Sequence, residues 1–257
     1  IPFLFFWRKG WIDRPLMRRL GMTVLLAAVV ASFGWIMVAS GLIDRPWVNA
    51  YKLTLHLSLG CSLFAYLLWT TFLVFEPRRP SYPQFVWKKW VKWLTGLTAV
   101  QIVLGGVMAG AKAGLYFPTW PDMNGRFLPE VLLDGSMWSV HNLVNYDATL
   151  FLPALVQFVH RMTAYALLII GLYFAIKLFR EQITRHTRIA TYLLISVLSV
   201  QVLLGIITVI NSVGTIPVSW GVLHQGMALV LLAVVLYLDY QLLGRDKIVN
   251  VENYVEN

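Results

Sequence analysis

The chain has 257 residues, 58% of them hydrophobic and only 13% charged, which is too little polar surface for a soluble domain of this length. Its formal net charge is +9, but the basic residues fall in alternate loops rather than in one patch, which excludes a nucleic-acid-binding role and indicates a membrane topology. The single cysteine, Cys61, excludes an intrachain disulfide and carries no functional signal.

The chain opens with "IPFLFFW", which is apolar but runs at once into the basic stretch "RKGWIDRPLMRR". That piece is too short to cross a bilayer and has no n-region of a signal peptide; it reads as the end of a helix that begins upstream of Ile1. Six segments then reach the roughly 20 apolar residues that a span requires: 22–42, 53–75, 91–111, 149–176, 190–211 and 221–243. Each predicts a helix, because a lipid-embedded segment must satisfy its own backbone and these are too long and too continuously apolar for barrel strands. The fold class is therefore an all-α integral membrane protein.

The connecting loops carry the orientation. Those at 8–19 (Arg8, Lys9, Arg14, Arg18, Arg19), 76–92 (Arg78, Arg79, Lys88, Lys89, Lys92) and 177–188 (Lys177, Arg180, Arg185, Arg188) are basic. The alternate loops at 43–52 and 112–148 are poor in Lys and Arg, and 212–220 has none. Positive-inside topology then puts the three basic loops and the tail 244–257 on the cytoplasmic or equivalent side. The long 112–148 loop predicts an outer-side cap, rich in Pro, Gly and interfacial aromatics, and loops of that length are commonly functional.

Two stretches repeat. "GWIMVASGLIDRPWVNAYKLTLHLSLG" from Gly34 and "GIITVINSVGTIPVSWGVLHQGMAL" from Gly205 share a helix end, a short loop with Pro and Trp, and a helix with a His near its outer end, His56 and His224. A repeated helix pair predicts two related bundles. On this reading 1–111 holds an incomplete N-terminal bundle and the first helix of the second bundle, with a boundary at about 85–90. The 112–148 cap follows, then the C-terminal helices of 149–243 and the tail.

Ionisable residues inside spans are functional candidates. His56 lies 20 residues before Glu76, His160 lies 17 before Lys177 and His224 lies 21 before Arg245, so the three share one depth to within ~6 Å on helices running in the same direction. Singly, each could hydrogen-bond across helices. Together they suit bis-imidazole ligation of a planar iron cofactor, because neutral imidazole suits iron and the site lacks thiolate or carboxylate ligands. His160 and His224 make the candidate pair. Arg161 turns about 100° away from His160, toward either a propionate or carboxylate or a neighbouring carbonyl, while Gln157 sits a turn before His160 and could orient the ligand or a propionate. In the cap, Trp120 to Pro129 is expected to fold over a bundle mouth, with Arg126 available to a propionate. His186 reads as a solvated loop residue, and His141 belongs to the cap. No phosphate loop, covalent-haem Cys-x-x-Cys-His or zinc HExxH motif occurs.

The ordered set "GWIMVASGL" (34–42), "YKLTLHL" (51–57), "AGAKAGLYFPTWPDMNGRFLP" (109–129), "LVQFVHRMTAY" (155–165) and "LHQGMA" (223–228) resembles the haem A synthase family, of mitochondrial or proteobacterial type. The resemblance implies eight helices in two four-helix bundles and conversion of the C8 methyl of haem O to the formyl of haem A for terminal oxidases. It implies a haem b on iron ligands matching His160 and His224, and a substrate-haem ligand matching His56. Gln157, Arg161, Gln225, Trp120 and Arg126 are the implied cofactor-contacting residues. The implied partners are haem O, haem O synthase, the lipid bilayer and a second copy of the chain, in a bacterial or mitochondrial inner membrane with the haem sites toward the outer side. The family's catalytic Glu would lie upstream of Ile1 in an N-terminally truncated chain, and a Glu-Asn pair common in the family is replaced by Phe151 and Leu152, with Asn145 and Asp147 nearby. Two other functions remain compatible: a haem b cytochrome that only transfers electrons, or an inactive fragment.

Overall fold

The structure is a computed structural model that describes residues 2–39, 47–76 and 85–243; Arg78, Arg79 and the tail from 244 lie outside the described residues. Among the described residues the only regular elements are helices, joined by turns and irregular backbone, without a strand. A short α1 (Pro2–Arg8) ends at Lys9 and Gly10 and is followed by α2 (Arg14–Ala39), α3 (Ala50–Phe75) and α4 (Phe85–Gly110). After the cap come α7 (Phe151–Phe179), α8 (Arg185–Ile210) and α9 (Val218–Leu243), while α5 (Ala113–Tyr116) and α6 (Val140–Val144) are single turns within the cap.

Six helices are long and apolar enough to cross a membrane, so the protein is a multi-pass membrane protein. They coincide with the six predicted spans. Five have 26 residues, about 39 Å at the α-helical rise, against a hydrocarbon core of roughly 30 Å. The helices therefore outrun their apolar windows, chiefly at the basic ends, where Arg14, Lys88 and Arg185 already belong to helical turns. Asn49 caps α3 and Thr184 caps α8 through their side-chain oxygens, satisfying otherwise orphaned amides. Within the spans, hydroxyls bond back one turn: Thr54 to Ala50 O at 2.7 Å, Thr98 to Leu94 O at 2.8 Å and Thr191 to Thr187 O at 2.8 Å. A polar group with no water nearby needs such a partner.

The core belongs to a four-helix bundle of α4, α7, α8 and α9. Leu94, Leu167, Phe174, Leu194, Leu198, Val235 and Leu238 interlock there. Helix α3 packs on α4 and α9, and α2 packs on α3; α2 has no buried residue. At the α3–α4 seam a Cβ on Gly110 would sit 2.5 Å from Ala50 Cα, and one on Gly106 would sit 3.1 Å from Thr54 Cγ2. "LGGVMAGAKAG" is thus a close-packing surface of the small-xxx-small kind.

On the basic side, α3 is gripped at the residue that caps its C-terminus. Glu76 accepts from Tyr237 Oη (3.0 Å) and Gln241 Nε2 (3.3 Å) through its carboxylate, and from Tyr240 Oη (2.6 Å) through its carbonyl. His186 Nδ1 lies 3.4 Å from the same carboxylate and 3.1 Å from Tyr237 Oη. This corrects the reading of His186 as a solvated loop residue: it occupies the first turn of α8 and joins α3, α8 and α9.

Candidate functional site

On the cap side, His160 of α7 and His224 of α9 meet ring to ring, with centroids 6.5 Å apart and planes at 74°. Each ring lies against a glycine of the preceding long helix. A Cβ on Gly105 of α4 would come within 3.3 Å of His160 Cε1, and one on Gly205 of α8 within 3.0 Å of His224 Cε1. The third histidine repeats the device: a Cβ on Gly34 of α2 would lie 2.9 Å from His56 Cε1. The repeat that begins at Gly34 and Gly205 in the sequence is therefore a helix pair in which glycine makes room for an imidazole.

Two residues absent from the sequence-based site set complete the pair. Gln101 Nε2 lies 3.2 Å from His160 Nε2 and also donates to His160 O at 3.0 Å, while Gln201 Nε2 lies 3.4 Å from His224 Nε2. A signal for them exists in the sequence: "VQIVLGG" at 100–106 and "VQVLLGI" at 200–206 repeat a Gln four residues before the histidine-backing Gly.

The neighbour of His160 faces another way. The Arg161 guanidinium donates to three cap carbonyls, Thr119 O at 3.0 Å, Pro121 O at 2.8 Å and Asp122 O at 2.6 Å. Gln157, one turn before, donates to Phe117 O at 2.7 Å, and Tyr165, one turn after, accepts from Trp120 Nε1 at 2.9 Å. Residues 157, 161 and 165 form a single stripe on α7 that fastens 117–122 along the helix. Contact with neighbouring carbonyls is one of the two uses open to Arg161, and through it the guanidinium supplies donors to irregular backbone beside a membrane helix. The segment then turns at Asn124 (φ 58) and Gly125 (φ 85), with Met123 N donating to Arg126 O at 2.7 Å, as expected for an Asn-Gly pair with two positive φ angles.

Other sequence-derived residues sit apart from the pair. Arg126 is exposed and paired with Glu130 Oε1 at 2.6 Å. Gln225 is exposed beside His224. His141 is exposed, with Asn145 Nδ2 at 3.1 Å from its Nδ1. Phe151 is fully buried, edge-on to Trp138 at 5.1 Å, and Leu152 packs with Ala50, Ala111 and Tyr146. Those two positions are apolar because they anchor the cap to α7. Elsewhere in the cap, Ser136 donates to Asp134 through its amide and hydroxyl, which holds that carboxyl below the usual range.

The donor set fits an axially ligated planar metal complex. Among the described residues no group of three or more His, Cys, Asp or Glu side chains could hold an ion, so two imidazoles need a partner that brings its own equatorial ligands. A metal about 2 Å from one nitrogen of each ring sets opposed imidazole centroids about 6 Å apart, close to the spacing found. The Nδ1 atoms of both rings are buried without a partner. Alanine at Gly205 is expected to displace His224 and lower thermal stability, with a packing cost of about 1–3 kcal/mol. Gly105→Ala, with 0.3 Å more room by the contacts given above, should do so less; equal thermal stability in both variants and the parent would count against the glycine role.

Comparison with known proteins adds an independent line. The family model described as COX15-CtaA, cytochrome oxidase assembly protein, matches residues 1–236. The chain is 37% identical over 234 residues to the heme A synthase of Bradyrhizobium sp. strain BTAi1, a match covering 90% of this chain and 62% of that protein. It is 34% identical over 245 residues to the heme A synthase of Nitrosospira multiformis, covering 94% and 66%. With that of Flavobacterium johnsoniae it shares 31% identity over 243 residues, covering 94% and 69%. The chain thus spans under two thirds of the length of the first two relatives.

Proposed function

The chain belongs to the COX15-CtaA family of cytochrome oxidase assembly proteins, and from that membership we propose that it forms the haem b-bearing portion of a haem A synthase. The reaction oxidises the C8 methyl of haem O to a formyl group, a net loss of two hydrogens and gain of one oxygen, for the biogenesis of terminal oxidases. The observation that carries the proposal is the pair of adjacent, glycine-backed imidazoles in a family whose relatives bear that name.

His160 and His224 would hold the haem b iron, and the bound haem would supply one-electron redox chemistry. The chain's own residues do the rest. The α4–α7 and α8–α9 pairs hold the rings opposite one another, and the stripe at 157, 161 and 165 keeps 117–122 against α7 so that water is excluded from the cap side of the pair. His56, on the α2–α3 pair, takes the role of a ligand to the substrate haem. The basic loops orient the protein with the histidines toward the outer side of a bacterial or mitochondrial inner membrane. Haem O synthase, as the source of the substrate, and a second copy of the chain are the proposed partners.

The test is expression in cells that make haem O but lack haem A synthase, followed by extraction of total haems. Haem A in the extract supports the proposal. Bound low-spin haem b with haem O unchanged would favour a membrane cytochrome that only carries electrons, since a closed histidine pair serves that role equally.

A further inference from the structure

We infer that the seam between α4 and α7 at the basic end of the bundle binds one anionic phospholipid. Lys89 and Lys177 take the headgroup phosphate, and Trp90, Trp93 and Tyr173 flank the first part of the acyl chains.

The cations at this end divide by what they already hold. Of the three lysines of α4, Lys88 donates to Leu243 O at 2.9 Å and Lys92 lies within electrostatic reach of Asp239, so both serve α9. Lys89 is exposed on another face of the helix. Across the seam, Lys177 of α7 stands 5.4 Å from the centroid of Tyr173, within cation–π range. Among the described residues neither Lys89 nor Lys177 has an ion-pair partner. The one acid in 177–188 is Glu181, which lies beyond the end of α7.

Between the two lysines the surface is aromatic and then aliphatic. Trp87 and Phe174, with centroids 6.0 Å apart, close α4 against α7 from within. Trp90 meets the exposed Tyr173 at 5.8 Å and forms the floor of the seam. Trp93, one turn beyond Lys89, is 69% exposed. The wall continues through Gly96 and Val100 on α4 and Ile169 on α7, all exposed. A Cβ on Gly96 would meet nothing within 4 Å, so the glycine leaves a notch in the helix surface. Residues 89, 93, 96 and 100 form one stripe of α4, and 169, 173 and 176 one stripe of α7.

That order of chemistry matches a lipid with a negative headgroup. A lysine lays its stem on apolar surface and keeps its ammonium at headgroup level, where Trp and Tyr also settle. Two unpaired cations flanking one ring pair offer a phosphate charge-assisted donors from both helices, and basic sites between transmembrane helices recruit anionic headgroups. A zwitterionic headgroup would bring its own cation against the same two lysines.

The test uses the full chain in mild detergent, titrated with dioleoylphosphatidylglycerol, tetraoleoyl cardiolipin or dioleoylphosphatidylcholine at equal phosphate. Native mass spectrometry then counts bound lipid and copies of the chain together. The parent should retain one anionic lipid ahead of any other and no phosphatidylcholine, and the stronger of the two anionic lipids identifies the headgroup. Lys89→Gln combined with Lys177→Gln should weaken that retention about thirtyfold, at about fivefold for each charge removed. Arg185→Gln with Arg188→Gln, which removes the same charge from α8 on the same side, should leave the first lipid in place. Parent-like retention in the lysine variant, or equal loss in both double variants, would overturn the inference. Two other results would also overturn it: release of the lipid by inorganic phosphate at equal concentration, which would leave a simple anion site, and a dimer lost with the two lysines, which would make the seam an interface between copies.

Discussion

Alanine at His224 is expected to remove the low-spin haem signal almost entirely while the helices stay assembled. In the proposed site the ring is one of the two donors, 6.5 Å from the other, whereas the apolar cluster of α4, α7, α8 and α9 lies mainly toward the basic side. Loss of residues that only orient metal ligands commonly lowers affinity about 10–100-fold, and removing a ligand itself should exceed that. His160→Ala should match it. His56→Ala should leave this signal in place, because that ring lies against Gly34 on a different helix pair. The measurement is haem per chain by pyridine haemochrome, together with the reduced-minus-oxidised absorbance spectrum. A six-coordinate spectrum at parent occupancy in either the His160 or the His224 variant would sink the assignment.

The second large effect is expected at Arg161. Its side chain is 8% exposed and carries three charge-assisted hydrogen bonds to the cap backbone. Replacement with leucine leaves those carbonyls without their donor, and at about 1–3 kcal/mol for each stranded buried acceptor, partly relieved by water, the loss should reach roughly 3–5 kcal/mol. Arg161→Lys should recover only part, since an ammonium group cannot reproduce the fork that spans Thr119, Pro121 and Asp122. Limited proteolysis between Phe117 and Arg126 reads the effect directly. A leucine variant with parent-like protection and melting temperature would show that Gln157 and Trp120 suffice to hold the segment. A direct role for Arg161 toward a haem propionate predicts something else: haem loss without loop release.

Some of this architecture is local and could be read in one dimension. The six spans follow from runs of apolar residues, because lipid imposes the same requirement on every turn of a helix. The common depth of His56, His160 and His224 follows from the fixed rise per residue. The Asn124-Gly125 turn follows from backbone sterics at two positions. Even the histidine-backing glycines are visible in part, since the repeated stretches begin at Gly34 and Gly205.

What tertiary structure decided is where each polar side chain finds its partner. The sequence leaves Arg161 with two possible uses, and the choice depends on the path of 117–122 along α7, which no local pattern specifies. Arg126 reaches Glu130 at the surface, and Gln225 is exposed, because the rotation of a helix and the route of a loop are set by packing against neighbours. His186 joins Glu76 and Tyr237 across 110 and 51 positions of chain, and Gln101 meets His160 across 59. Hydropathy fixes how deep a residue lies in the bilayer, but a hydrogen bond also requires direction, and direction is fixed only when the helices have turned their faces to one another.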